Sequence, residues 1–213
     1  MKVGTDGVLI GCWPLAFSHS PIRRILDVGT GSGLIARMLM QRCPEAEVEG
    51  IDIDEAAVEQ AKENGVNAFL SRLQDWQGGP YDLIVSNPPY FQNSLKNPDA
   101  GRSTARHTDT LSYADLIHHS ARLLTMNGQL ALILPAEAET EVRGLAAAEK
   151  LSLVRVTRVY SKEGKPAKRT LMAFEKCTIH NAQFKILEDV LVLEDEIGGR
   201  SAAYQELTKD FYL

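Results

Sequence analysis

Asp27-Val28-Gly29-Thr30-Gly31-Ser32-Gly33 is the stretch on which the fold turns. It ends Ile22–Val28, a run that reads as a strand, and it precedes Leu34–Arg42, where Leu34, Ile35, Met38 and Leu39 recur at helical spacing. Glycines at a strand-to-helix turn let the backbone approach a ligand closely, and the first turn of the helix presents N–H groups that it does not itself use. A dinucleotide fingerprint would read GxGxxG. Here the spacing is GxGxG, and Leu34 stands where the last dinucleotide glycine would be.

Outward from the loop, strands and helices alternate. Val48–Ile53 is the next strand, and Glu55–Asn64 an alanine-rich helix with Gly65 at its C-cap. Tyr81–Val85 reads as a buried strand. Ser112–Asn127 reads as a helix, with Ser112 as N-cap, Asp115 three residues on and Gly128 as its stop. Gln129–Leu134 is a strand and Ala138–Lys150 a helix. This alternation predicts an α/β fold with a doubly wound, mostly parallel sheet covered on both faces. After Leu151 the pattern changes: Leu153–Tyr160 and Arg169–Glu175, joined by a short basic stretch, predict an antiparallel C-terminal hairpin at the sheet edge. Phe184–Leu193 fits one more short strand, and Ser201–Asp210 a small terminal helix. No repeat or linker divides the chain, so a single domain over residues 1–213 is expected.

Composition narrows the class. Hydrophobic residues make up 44% and charged residues 24%, an ordinary globular balance. The net charge of −5 argues against coating nucleic acid by charge alone, although a locally basic face is compatible with it. Cys12, Cys43 and Cys177 stand far apart with no CxxC, so neither a disulfide framework nor a metal site is expected. The apolar runs are strand-sized and no membrane span is expected. The first residues lack the apolar core of a signal peptide, and a cytoplasmic location is expected.

Charge at the loop selects the ligand class. A carboxylate at Asp27 would repel a pyrophosphate but suits a cationic ligand such as S-adenosylmethionine (SAM), which carries an ammonium and a sulfonium. Asp52, in Gly50-Ile51-Asp52-Ile53-Asp54, closes the second strand, where a carboxylate can accept both ribose hydroxyls. Ile53 is placed to lie against an adenine ring, and Asp75 to accept the adenine amine. Gly29, Gly31 and Gly33 form the cradle.

Ser86-Asn87-Pro88-Pro89-Tyr90 ends the fourth strand. Ligands of open α/β sheets bind beyond the C-terminal strand ends. Two prolines stiffen the backbone and remove two N–H donors. The Asn87 amide oxygen and the Pro88 carbonyl remain as acceptors, and an aromatic ring follows. Two acceptors and a flat ring are what an amino group on a planar substrate needs.

Asp27–Gly33 followed by Asn87–Tyr90 resembles the class I SAM-dependent methyltransferases that modify planar amino groups, with a Rossmann-like fold. Lys2-Val3-Gly4-Thr5-Asp6-Gly7-Val8-Leu9, Ala105-Arg106-His107-Thr108-Asp109 and Asp210-Phe211-Tyr212-Leu213 resemble one bacterial family, the tRNA1(Val) adenine-N6 methyltransferases. The resemblance implies methyl transfer from SAM to the exocyclic amine of an adenine beside the anticodon. It implies that Asn87, Pro88, Pro89 and Tyr90 do the chemistry, and that Thr5 and Asp6 touch the methionine end of the cofactor. Family members carry a further, partly basic stretch before the Lys2–Gly7 motif. This chain is therefore expected to be truncated there or to come from a lineage without it.

For RNA contact, Lys165, Lys168 and Arg169 in the hairpin and Arg102, Arg106 and His107 beyond NPPY are the candidates. Arg155, Arg158 and Lys162 add to the hairpin's basic character, against Glu163 alone. His118-His119 read as surface or helix-packing residues. The alternatives are a glutamine-amide methyltransferase acting on a release factor, a DNA adenine methyltransferase, and a non-catalytic RNA-binding protein of the same fold. The first normally carries a helical N-terminal domain, and none is expected here. The second needs a target-recognition domain. The third has no need of Asp27, Asp52 and Asn87 together.

Overall fold

Alternate residues along the central strands are apolar on both sides. Ile25, Leu83 and Ile133 enter one buried cluster, while Leu26, Ile84 and Leu132 enter another. A sheet patterned in this way needs helices on both faces. In the computed structural model, which describes residues 4–14, 21–89, 111–176 and 186–211, both faces are covered. One is packed by α1 (Thr5–Cys12), α2 (Leu34–Arg42), α3 (Glu55–Glu63) and α6 (Ala202–Thr208). The other is packed by α4 (Tyr113–Leu123) and α5 (Glu139–Ala148).

The strands are β1 (Arg24–Val28), β2 (Glu47–Asp52), β3 (Asn67–Leu70), β4 (Tyr81–Ser86), β5 (Leu124–Pro135), β6 (Leu151–Tyr160), β7 (Arg169–Lys176) and β8 (Leu187–Val192). They form one sheet in the order β3-β2-β1-β4-β5-β7-β6-β8. The first five run parallel. The chain leaves β1 toward β2 and β3, then returns to place β4 on the other side. The crevice beyond β1 and β4 is therefore the topological switch point, where open α/β sheets take ligands. Being antiparallel to β5, β7 brings its first residue, Arg169, opposite Pro135 at the same end of the sheet.

Three sequence expectations need correction. The hairpin of β6 and β7 is antiparallel as read, but it is not the sheet edge: β7 inserts beside β5, and β8 continues the sheet in parallel with β6. The helix expected to run to Asn127 ends at Leu123. Leu124 pairs with Tyr81, Thr125 Oγ1 donates to Asp82 Oδ1 at 3.1 Å, and Lys176 Nζ donates to the carbonyls of Ala121 and Leu124. Asn127, at φ 66°, thus turns the chain within the irregular start of β5 instead of capping a helix. Third, Thr5–Cys12 is a helix that the reading did not resolve. Gly7 and Gly11 face α2 so closely that a Cβ would lie 3.2 Å from Leu34 Cδ2 and 2.7 Å from Met38 Sδ. The next residue but one, Trp13, is buried, and its Nε1 donates to Thr157 Oγ1 at 2.8 Å, tying the segment to β6.

Candidate active site

The glycine loop is held from below and from the side. Gly29 and Thr30 both donate their N–H to the Ile51 carbonyl, at 2.9 and 3.0 Å. Gly29 and Gly33 sit at φ +72° and +82°, a left-handed region that penalises other residues. A Cβ on Gly29 would meet nothing within 4 Å, since it faces open cleft, whereas one on Gly33 would lie 2.7 Å from Val66 Cγ2. Gly50 on β2 passes directly under the loop, and a Cβ there would lie 2.7 Å from Thr30 Oγ1.

Asp27 is fully buried. Its Oδ2 accepts from Thr30 Oγ1 at 2.8 Å and from the Ala36 N–H at 3.2 Å, so it ties the loop to α2. Its Oδ1 has no hydrogen-bond partner among the described residues. Burial outweighs the two hydrogen bonds and pushes the carboxyl up to about 7. Asp52 stands at the rim with both oxygens placed: Oδ2 accepts from the Gly31 N–H at 2.9 Å and Oδ1 from the Asp54 N–H at 3.0 Å. Each carboxylate oxygen has a second lone-pair direction. Asp52 therefore shapes the loop and still faces the cleft.

That cleft has a volume of about 1070 Å³. Thr5 and Asp6 at the start of α1 line it, together with Gly29, Gly31, Asp52, Asn87 and Pro89. A smaller cavity of about 240 Å³ shares Gly29, Asp52 and Pro89 with it and is otherwise mostly apolar, walled by Ile51, Ile53, Leu73, Pro88 and Leu111. Ile53 is 56% exposed although apolar, and it lines both this cavity and an open recess that holds Asp75, Leu70 and Arg72. Asp75 lies five residues past the end of β3, in a turn where its N–H donates to the Arg72 carbonyl. Leu73 and Gln74 are nearer neighbours of the small cavity, and the sequence reading missed both.

Asn87 is placed by β4. Ser86 pairs with Val28, and its Oγ donates to the Val28 carbonyl at 2.8 Å. The next residue must therefore emerge beside Gly29. Asn87 lies half-buried on the large cleft, Pro88 is buried under the small cavity and Pro89 is exposed between them. Tyr90, Arg102, Arg106 and His107 lie outside the described residues.

The basic hairpin is far less basic in space than in sequence. Arg155 pairs with Asp189 at 2.6 Å, Arg158 with Glu139 at 2.7 Å and Lys162 with Glu194 at 3.1 Å. Arg169, a candidate for RNA contact by sequence, lines the large cleft and pairs with Asp6 at 3.0 Å. Exposed Lys165 and Lys168 make no ion pair among the described residues. Cys12 is a buried thiol pushed up to about 11 by burial, and His118 packs its Nδ1 against Glu149 at 2.9 Å. No cluster of metal-ligating side chains occurs among the described residues. Nor is any described helix long and apolar enough to cross a membrane.

Comparison with known proteins agrees with this geometry. Residues 15–160 match the methyltransferase small domain. A tRNA1(Val) (adenine(37)-N6)-methyltransferase of Parabacteroides distasonis is 44% identical over 224 aligned positions, covering all of this chain and 91% of that protein. One of the same name from Aeromonas salmonicida is 41% identical, again over the whole chain and 91% of the relative. Among solved structures, a predicted O-methyltransferase of Agrobacterium tumefaciens superposes with a TM-score of 0.74 at 15% identity, covering 96% of this chain and 95% of that one, a likeness of fold alone. Identity of this order along the whole chain, over a cleft at the switch point of a Rossmann-like sheet, shows that the chain belongs to the tRNA1(Val) (adenine(37)-N6)-methyltransferase family.

Proposed function

We propose that the chain transfers a methyl group from SAM to the exocyclic N6 of an adenine beside the anticodon of tRNA1(Val), acting in the cytoplasm as a single catalytic domain. The observation that carries this reading is the juxtaposition of Asn87 and Pro89 with the glycine loop and Asp52 around one cleft. The names of the relatives point to the same nucleotide. The residues present fit SAM. Gly29 offers space where a side chain would stand, Asp52 faces the place of a ribose, and exposed Ile53 offers an apolar face to a purine. Oδ1 of Asp27, buried beneath the loop with no hydrogen-bond partner among the described residues, is the acceptor we assign to the cationic end of SAM.

Bound SAM supplies an activated methyl group on a sulfonium. The protein's own task is to present the amine. An aromatic exocyclic amine is a poor nucleophile because its lone pair is delocalised into the ring. Asn87 Oδ1 and the Pro88 carbonyl accept its two hydrogens and favour a pyramidal nitrogen that can bear developing positive charge, an arrangement that works by preorganised electrostatics. Pro88 and Pro89 hold those acceptors rigidly, and Tyr90 stacks on the base, worth about 1–3 kcal/mol. No side chain is needed as a strong base, since the alkylated nitrogen is acidic enough to give its proton to water. Parallel reactions of tritiated SAM with unmodified total tRNA and with a purified release factor, followed by nucleoside analysis of the tRNA, test the reading. N6-methyladenosine in tRNA1(Val) is expected, and label in the release factor but not in the tRNA would overturn it.

Asp27 makes the affinity pH-dependent. Its carboxyl, raised to about 7, is only partly ionised near neutrality. A cation held against Oδ1 favours the ionised form, so binding releases a proton. SAM affinity should fall by up to about tenfold for each pH unit below that value. Fold stability has the opposite slope. The folded carboxyl holds its proton up to about 7 against an ordinary value of 3.8, so its contribution is full at low pH and is lost as pH rises through that window. Calorimetry in buffers of different ionisation enthalpy, between roughly pH 6 and 7.5, should show the released proton in the wild type and none in Asp27→Asn. Equal proton release by both proteins would remove Asp27 from the site.

Lys165 and Lys168 are the hairpin cations left to meet phosphate. Replacing both by Ala should weaken tRNA binding and flatten its salt dependence by about one unit per lost contact. SAM affinity should not change. An unaltered salt slope would make this hairpin a solvated turn.

A further inference from the structure

The placement of Arg169 is unlike that of the other hairpin cations. It is the first residue of β7, and the antiparallel course of β7 delivers it to the carboxyl end of the parallel strands, opposite Pro135. Its guanidinium is held in place: among the contacts described, Nε donates to Asp6 Oδ2 at 3.0 Å, and Nη1 donates to the Lys168 carbonyl at 2.9 Å. Asp6 is itself fixed in the first turn of α1, which packs on α2 behind the glycine loop. A guanidinium whose plane is set in this way is a preorganised fork for a carboxylate or a phosphate.

The electrostatics of the cleft decide between these two. Carboxylates surround it: Asp6, Asp52 and Asp54 line it, and Asp27 lies beneath. A ligand with an anionic end meets repulsion there unless a cation faces it. The lining cations are Arg37 and Arg169. Arg37, on α2, reaches the end of α3, where its Nη1 would lie 3.4 Å from a Cβ at Gly65. Arg169 pairs with Asp6 at the start of β7, four strands from β2, and so lies away from the end of β2 where Asp52 and Ile53 fit an adenosine. The methionine end of SAM is a zwitterion, and this part of the cleft offers both signs.

We propose that Arg169 binds the α-carboxylate at the methionine end of SAM, and that Asp6 acts as the positioning residue that holds its guanidinium on the cleft wall. This inference rests on the function proposed above. It takes Arg169 out of the RNA-contacting set and makes Asp6 a partner of the arginine more than of the ligand.

SAM and decarboxylated SAM differ only by the carboxylate, so their binding by calorimetry isolates the contact. Arg169→Ala should weaken SAM binding by roughly 10–100-fold, the effect of losing a charge-assisted fork. Binding of decarboxylated SAM should change by less than about twofold, because the lost partner is absent from that ligand. Arg169→Lys keeps the charge without the fork and should lose an intermediate amount, again for SAM alone. Asp6→Asn should weaken SAM in the same selective way, since the guanidinium is then less firmly held. An equal loss for both ligands would overturn the proposal and make the residue part of the fold. So would unchanged SAM affinity together with weaker tRNA binding, which would assign Arg169 to phosphate. If the wild type bound neither ligand, the SAM-dependent function itself would fall, an outcome distinct from loss of discrimination.

Discussion

Asn87→Ala is expected to lower kcat by about 10²–10³ while leaving SAM affinity nearly intact, as for removal of one preorganised polar partner of a developing charge. The amide stands on the cleft at the end of β4, fixed through Ser86 and its bond to Val28, so its loss leaves the strand in place. Its oxygen matters most as the amine becomes positive, and that is why the effect belongs to kcat. Tyr90→Ala should behave differently. Stacking holds the base before and during transfer, so KM for tRNA should rise as kcat falls. Tyr90→Phe should retain most activity, since a ring is needed and a hydroxyl is not. The pH–rate profile at saturating SAM should show no essential base near neutrality. Near-normal kcat in Asn87→Ala, or a Tyr90→Phe protein as damaged as Tyr90→Ala, would reduce NPPY to a rigid turn.

Where local sterics dictate structure, the sequence is easily read. α2 begins and ends where expected because Gly33 turns the chain at its start and Cys43-Pro44 stops it. Asp52 and Asn87 could be placed because Asp52 ends, and Asn87 follows, a strand whose end must open on the switch point. α1 was opaque for a physical reason. Gly7 to Trp13 are all buried, and a helix enclosed on every side has no polar face to reveal its period. The available signal was Gly7 and Gly11, four residues apart and therefore on one face. The ion pairs of the hairpin were invisible because the partners are remote in sequence. Arg158 finds Glu139 and Glu188, Arg155 finds Asp189, and Arg169 finds Asp6, 163 residues away. A run of like charges along the chain is thus a poor guide to field at the surface when the acidic partners arrive from α5, β8 and α1. Asp27 has a structural task that its position before the loop does not reveal: one oxygen ties the loop to α2, and the other has no hydrogen-bond partner among the described residues.

Asp52→Ala is expected to weaken SAM binding by about 2–3 kcal/mol, roughly 30–150-fold, through loss of charge-assisted bonds to the ribose. The structure adds a second contribution to that loss. Asp52 also accepts from Gly31 and Asp54, so the variant frees two N–H groups at the rim and loosens the cradle as well as removing the ribose contact. The two contributions separate in a double cycle that pairs the variant with an S-adenosylhomocysteine analogue lacking the ribose hydroxyls. If Asp52 accepts from the hydroxyls, the substitution should cost much less with this analogue than with the parent compound. The residue of the effect then measures the loop. NAD should not bind measurably to either protein, because the GxGxG turn over Asp27 disfavours a pyrophosphate. Unchanged SAM affinity in Asp52→Ala would remove Asp52 from the cofactor site, an identical loss with the hydroxyl-free analogue would make the carboxylate a support of the loop alone, and tight NAD binding would overturn the choice of SAM over a dinucleotide.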